Sequence, residues 1–174
     1  MRNLKRALSL ALAAIMLIGM MVVSASATGL DDFSDKDKVV NKDAVSMLVS
    51  LGIIEGKPDG SYAPTENVDR AQMAKMLSVI MNKGVDNSAL YQSVNSGLVD
   101  VNTNWAKGHI NYCYTTGIIA GRGNGKFDPS ATVTALEAAK MLLVALGYRA
   151  DEANFTGNGW DTNVNVIATQ KGLY

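Results

Sequence analysis

The sequence of 174 residues predicts a mainly α-helical protein built from tandem helix–turn–helix units. Three observations predict it: a gapless internal repeat of 65 residues, a glycine-rich turn at the same place in each copy, and a helix-capping signal after each turn. Gly52-Ile53-Ile54-Glu55-Gly56 recurs as Gly117-Ile118-Ile119-Ala120-Gly121. Gly60, Tyr62, Pro64 and Val68 then fall on Gly125, Phe127, Pro129 and Val133, and Lys75-Met76-Leu77 falls on Lys140-Met141-Leu142. Upstream, Phe33 pairs with Leu98 and Asp35 with Asp100.

The first helix of the first copy is read from Val40, Ala44, Val45 and Leu48, with Gly52 as its stop, and that of the second copy from Ala106, Ile110, Cys113 and Tyr114 before Gly117. In the turns Gly56-Lys57-Pro58-Asp59-Gly60 and Gly121-Arg122-Gly123-Asn124-Gly125, glycine supplies positive φ. Tyr62 and Phe127 follow in short extended pieces that plug each turn into the core. Asp69-x-x-Gln72 and Thr134-x-x-Glu137 are capping boxes that open the second helices. Met73, Met76, Leu77 and Ile80 form the predicted apolar face of one, and Ala138, Met141, Leu142 and Ala145 that of the other. Neither unit can bury such a face alone. A third copy begins near Phe155, because Trp160 precedes Gly172-Leu173 by the same interval that separates Trp105 from Gly117-Ile118. The expected division is a leader over 1–27, units over 28–94 and 95–158, and the start of a truncated third unit over 159–174.

The leader is read from Arg2, Lys5 and Arg6, followed by an uncharged run from Ala7 to Val23 and small residues at Ala25 and Ala27, which fit a signal-peptidase site. Export follows, with no membrane association after cleavage. Without residues 1–27 the chain has 13 Lys and Arg against 16 Asp and Glu, a net charge of −3, which excludes a nucleic-acid binder's electrostatics. The single cysteine, Cys113, cannot form an internal disulfide and reads as a small buried hydrophobe.

Several chemistries fail on the residues. Asp100-Val101-Asn102-Thr103-Asn104 begins like a calcium loop, but Trp105 stands where the glycine is needed and Asn111 where the bidentate glutamate is needed. Gly121-x-Gly123-x-Gly125 lacks dinucleotide-fingerprint spacing. One histidine, His109, and one cysteine do not make a zinc site, and no serine sits in a nucleophile elbow. No catalytic residue, metal or cofactor is expected.

The ordered motifs Phe33-Ser34-Asp35, Trp105-Ala106, the two Gly-Ile-Ile segments, Phe127-Asp128-Pro129 and the altered helix starts Asp69-Arg70-Ala71-Gln72 and Thr134-Ala135-Leu136-Glu137 resemble the S-layer homology family over nearly all of residues 30–174. The resemblance implies a pseudo-threefold helical bundle whose grooves bind secondary cell-wall polysaccharide, often pyruvylated, and so a non-catalytic anchor at the wall or S-layer surface of a Gram-positive-type bacterium. It implies Arg70 as the cation for a ligand carboxylate, beside the turn glycines Gly56 and Gly121. Asp100 also lies at a motif position, and Trp105 serves either as core or as a platform for a sugar ring. In the second unit Ala135 replaces the motif arginine, so a groove there lacks its main cation unless Arg122 substitutes for it. Two alternatives stand beside anchoring: a self-associating S-layer or scaffold protein, and the targeting part of a longer surface enzyme.

Overall fold

The computed structural model describes residues 29–173; the expected leader lies outside them. The described residues form five α-helices in order: α1 (Lys42–Ser50), α2 (Arg70–Met81), α3 (Lys107–Thr115), α4 (Ala135–Ala145) and α5 (Trp160–Gln170). Single 3-10 turns at Leu30–Asp32, Lys36–Lys38 and Ser88–Tyr91 fill the connections, and there is no strand among the described residues. The expected extended pieces are reduced to two isolated bridges, Asp69 with Thr132 and Gly123 with Lys126. None of the described helices is long and apolar enough to cross a membrane.

The repeat is visible in the backbone. Ile53 and Ile54 N–H donate to Leu48 O, and Ile118 and Ile119 N–H donate to Cys113 O. Lys57 N–H donates to Ser61 O as Arg122 N–H does to Lys126 O, each at 2.8 Å. Asp35 accepts from the N–H groups of Tyr62 (2.8 Å) and Ala63 (2.9 Å). Asp100 does the same with Phe127 (2.9 Å) and Asp128 (2.8 Å). Ala63 and Asp128 both adopt positive φ, a conformation that costs free energy for residues with a Cβ, and the paired carboxylate bonds hold it in place. Hydrogen bonding by Tyr62 keeps the Asp35 carboxyl below the usual carboxylate range. Burial pushes the Asp100 carboxyl up, but the bonds from Phe127 and Asp128 outweigh it and leave that group low as well.

Both capping boxes form. Asp69 accepts from Gln72 N–H (2.8 Å) while Gln72 reaches back to Asp69 N–H (3.0 Å), and Thr134 and Glu137 repeat the exchange. The expected faces pack on the core and are wider than the periodicity suggests. In α2 Met73 and Leu77 are buried and Met76 packs against the same cluster, with Arg70, Ala71, Ala74, Ser78 and Val79 also buried, while Ile80 stands partly exposed. In α4 Ala138, Met141, Leu142 and Ala145 pack on that cluster, and Ala139 and Leu143 are buried in the next one. In α1, Val45 and Val49 are buried, whereas Val40 precedes the helix and is 91% exposed. The second helices serve two neighbours at once, α2 packing on α3 and α4, and this widens the buried face.

The core crosses the unit boundary. Ala74 and Leu77 from α2 meet Ile110 and Cys113 from α3 and Phe127 from the second turn in one cluster. α4 and α5 build the corresponding cluster around Leu143, Phe155 and Val164. Each fully buried Leu, Ile or Phe contributes about 1.5–3 kcal/mol by leaving water. Cys113 is fully buried, its Sγ lies 3.4 Å from Ala74 O, and burial pushes its thiol up to about 12, which makes it an inert packing residue.

Arg70 ties the same boundary with polar bonds. Its backbone N–H donates to Ala131 O (3.0 Å), its Nε to Phe127 O (2.7 Å) and its Nη2 to Ala120 O (2.7 Å). Its guanidinium also lies 4.4 Å from the Phe127 ring centroid. Truncating it leaves two carbonyls without their donors, so Arg70→Ala is expected to lower unfolding free energy by about 2–4 kcal/mol in urea denaturation. Arg70→Lys, which cannot reproduce the fork, is expected to recover only part of that loss.

Candidate functional site

A cleft of about 800 Å³ opens between the first unit and the beginning of the second. The first turn supplies one wall with Gly56, Lys57 and Tyr62; α2 supplies another with Gln72, Lys75 and Met76; Trp105, just before α3, supplies the third. Gly56 is required here, because it has φ of 77° and a Cβ would run into the Phe33 ring. Phe33 in turn stacks on Tyr62, with ring centroids 5.7 Å apart. Trp105 is 59% exposed and so lies outside the core. Lys57 pairs with Glu66, and Lys75 with Glu55 at 2.6 Å, so both cations of this groove carry a carboxylate partner.

The candidate residues from the sequence therefore separate into two groups. Gly56 and Trp105 meet in this cleft. Arg70, Asp100, Gly121 and Arg122 gather instead at the turn of the second unit. Arg70 is 3% exposed and committed to the carbonyls of that turn, and Asp100 is committed to the turn's N–H groups. Arg122 pairs with Glu137 at 2.8 Å. Gly121 packs closely enough that a Cβ would lie 2.9 Å from Lys126 O. The arginine that opens α2 thus serves the following unit, and Ala135 does not remove a cation from the second turn, because the arginine acting there is Arg70. Both side-chain bonds of Arg70 go to backbone carbonyls of that turn. Burial lowers the Arg70 pKa, with Arg122 acting in the same direction and Glu137 opposing; an arginine remains charged regardless.

The second junction repeats the groove's parts. Arg122 stands at the position of Lys57, Lys140 at that of Lys75, and Trp160 at that of Trp105. Lys140 Nζ lies 5.0 Å from the centroid of the Trp160 ring. Burial lowers the Lys140 pKa, with Glu137 opposing. Lys57, Lys75 and Lys140 were not singled out as binding residues from sequence, although the repeat already aligned Lys75 with Lys140; they read there only as helix and turn positions.

Behind Trp105 lies His109, 5% exposed and 6.5 Å from it between ring centroids. Its Nδ1 is 2.6 Å from Ser78 Oγ, and Ser78 Oγ is 2.9 Å from Lys75 O. Its Nε2 lies 3.7 Å from Asp86 Oδ2. Ser78 is itself buried, with no space for a substrate at Oγ, so the Ser78–His109–Asp86 grouping is a packing contact between α2 and α3. Among the described residues no cluster of three or more metal-capable side chains occurs.

The described residues form a tandem helical repeat with a groove at its first junction, and the comparisons identify its family. Residues 32–74 and 99–139 match the model of the S-layer homology domain, and the chain belongs to that family. It is 33% identical over 151 residues to a cell surface protein of Thermoanaerobacter kivui, covering 86% of this chain and 19% of that protein. It is 32% identical over 108 residues to an S-layer protein of Bacillus licheniformis, covering 62% of this chain and 12% of that protein. An endoglucanase of Bacillus sp. (strain KSM-635) is 29% identical over 158 residues, 87% of this chain and 16% of that enzyme. The chain thus spans less than a fifth of the length of each of these relatives. The family places it among exported proteins of the Gram-positive-type cell surface, and the two matched domains are anchoring rather than catalytic.

Burial lowers the His109 pKa below its ordinary 6.5, with Asp86 opposing. A depressed folded pKa means that the unfolded chain takes up the proton first. The stabilisation is complete above the unfolded value and is lost as pH falls from there to the folded value. Thermal midpoints measured from pH 7.5 down to about 5 are expected to fall more for the wild type than for His109→Gln, the difference between the two curves isolating this group.

Proposed function

We propose that the chain anchors an exported protein at the cell surface by non-catalytic binding of secondary cell-wall polysaccharide, the polymer lying in the groove between the first and second units. The observation that carries this reading is the exposed Trp105 facing Gly56, Lys57 and Lys75 across an open cleft. A pyranose ring has one face of C–H groups, which covers an aromatic ring, and a rim of hydroxyls, which needs nearby donors and acceptors. Trp105 supplies the first; Lys57, Lys75, Gln72 and the turn backbone supply the second. Arg70 acts as a positioning residue that fixes the second unit against α2 and with it the placement of Trp105. On this reading the units run over 28–94 and 95–158, with a third beginning at 159.

A second reading, self-association into a surface lattice, is favoured by the exposed apolar residues Val40, Met47 and Leu51 on and beside α1. The likeness to an endoglucanase fits attachment of such a module to a larger surface enzyme.

Co-sedimentation with Gram-positive sacculi separates these readings. The exported chain is expected to pellet with intact sacculi and to stay in the supernatant once the secondary polysaccharide is stripped. Trp105→Ala is expected to weaken pelleting by about tenfold or more with unchanged circular dichroism. Equal pelleting by the two proteins on intact sacculi contradicts the groove, and self-association without any polysaccharide supports the lattice reading.

A further inference from the structure

The aromatic wall of the first groove stands against the only histidine of the chain. Trp105 is exposed, and His109, one helical turn further on, is buried behind it with the two rings edge to face. His109 sits on α3, and its Nδ1 meets Ser78 Oγ of α2 at 2.6 Å, so the imidazole lies in the seam that docks the second unit on the first. Ser78 is one turn from Lys75, whose carbonyl lies 2.9 Å from Ser78 Oγ and whose side chain lines the groove. One titratable ring therefore links the tryptophan on one side of the cleft to the helix that forms the other.

The groups around the imidazole decide what charging it does. Asp86, in the segment after α2, lies 3.7 Å from Nε2 and favours the charged ring; Glu55 of the first turn acts in the same direction, and Lys75 of α2 opposes it. Burial opposes the charge more strongly than any of them. A ligand lying on Trp105 adds to that burial, because it covers the open face of the ring in front of His109 and displaces water from the cleft. Binding then disfavours the charged imidazole further, and by reciprocity the charged imidazole disfavours binding.

We propose that His109 is a positioning residue that couples the first groove to pH, holding Trp105 in place for a ligand while neutral and weakening the groove when protonated. A cation formed in the seam has two ways to recover solvation: the ring swings toward Asp86 and water, or α2 and α3 part around it. Either movement removes the support behind Trp105. No other side chain in the sequence titrates ordinarily between pH 5 and 7, so a response in that range has one source. The inference rests on the polysaccharide reading above and adds a regulator of the same site.

The test measures binding of purified soluble wall polysaccharide to the exported chain by calorimetry between pH 7 and 5. An NMR titration follows the His109 Cε1–H signal, which a single histidine makes unambiguous. Wild-type affinity is expected to fall about threefold or more relative to His109→Gln over that range, the ratio cancelling any titration of the polymer itself. The His109 signal is expected to titrate at lower pH in the complex than in the free chain. Asp86→Asn keeps the imidazole, removes the group that most favours its charge, and is expected to move the weakening to lower pH. Circular dichroism checks each fold, and the NMR comparison stands on the wild-type chain alone should His109→Gln unfold. Parallel binding profiles for wild type and His109→Gln, or a His109 signal that titrates at the same pH free and bound, overturn the inference while leaving the polysaccharide reading in place. Failure of the wild-type chain to bind at any pH removes both.

Discussion

The packing of each unit's second helix onto the first helix of the next unit is the constraint on which everything else depends. α2 buries Ala74 and Leu77 against Ile110 and Cys113 of α3, and Arg70 at its start bonds to Phe127 O and Ala120 O of the following turn. Apolar burial supplies the driving force, and the arginine fork supplies the register. Without the second unit, α2 exposes an apolar stripe and Arg70 loses the carbonyls it donates to. The repeat is therefore the unit of sequence but not of folding.

The groove is a product of that docking. Its turn wall is shaped by Asp35, which holds Tyr62 and Ala63 in place, and by the absence of a side chain at Gly56. Its aromatic wall arrives from the neighbouring unit, because Trp105 sits at the start of α3 with His109 behind it.

Much of this was legible in the sequence. The gapless repeat, the two capping boxes and the punctuating glycines gave the helix order, because each is a local signal with a local cause. Relations between units were not legible. Arg70 sits in the first copy of the repeat, and only the fold shows its side chain serving the second turn. The buried face of α2 was read too narrowly for the same reason, since periodicity reports one apolar stripe and α2 packs against two neighbours. Asp100 read as a ligand candidate because a motif position does not say which backbone N–H groups lie beside it 27 residues later. Trp105 stayed open between core and surface until its exposure was known.

The most direct test of the account is a heteronuclear NMR titration of the exported chain with soluble wall polysaccharide, following the two indole N–H signals assigned through Trp105→Phe and Trp160→Phe. The account predicts a saturable shift of the Trp105 signal at the first groove, together with shifts of the Gly56 and Lys57 amides and little change at the Arg70 guanidinium. Saturable binding that leaves Trp105, Gly56 and Lys57 unmoved would contradict it.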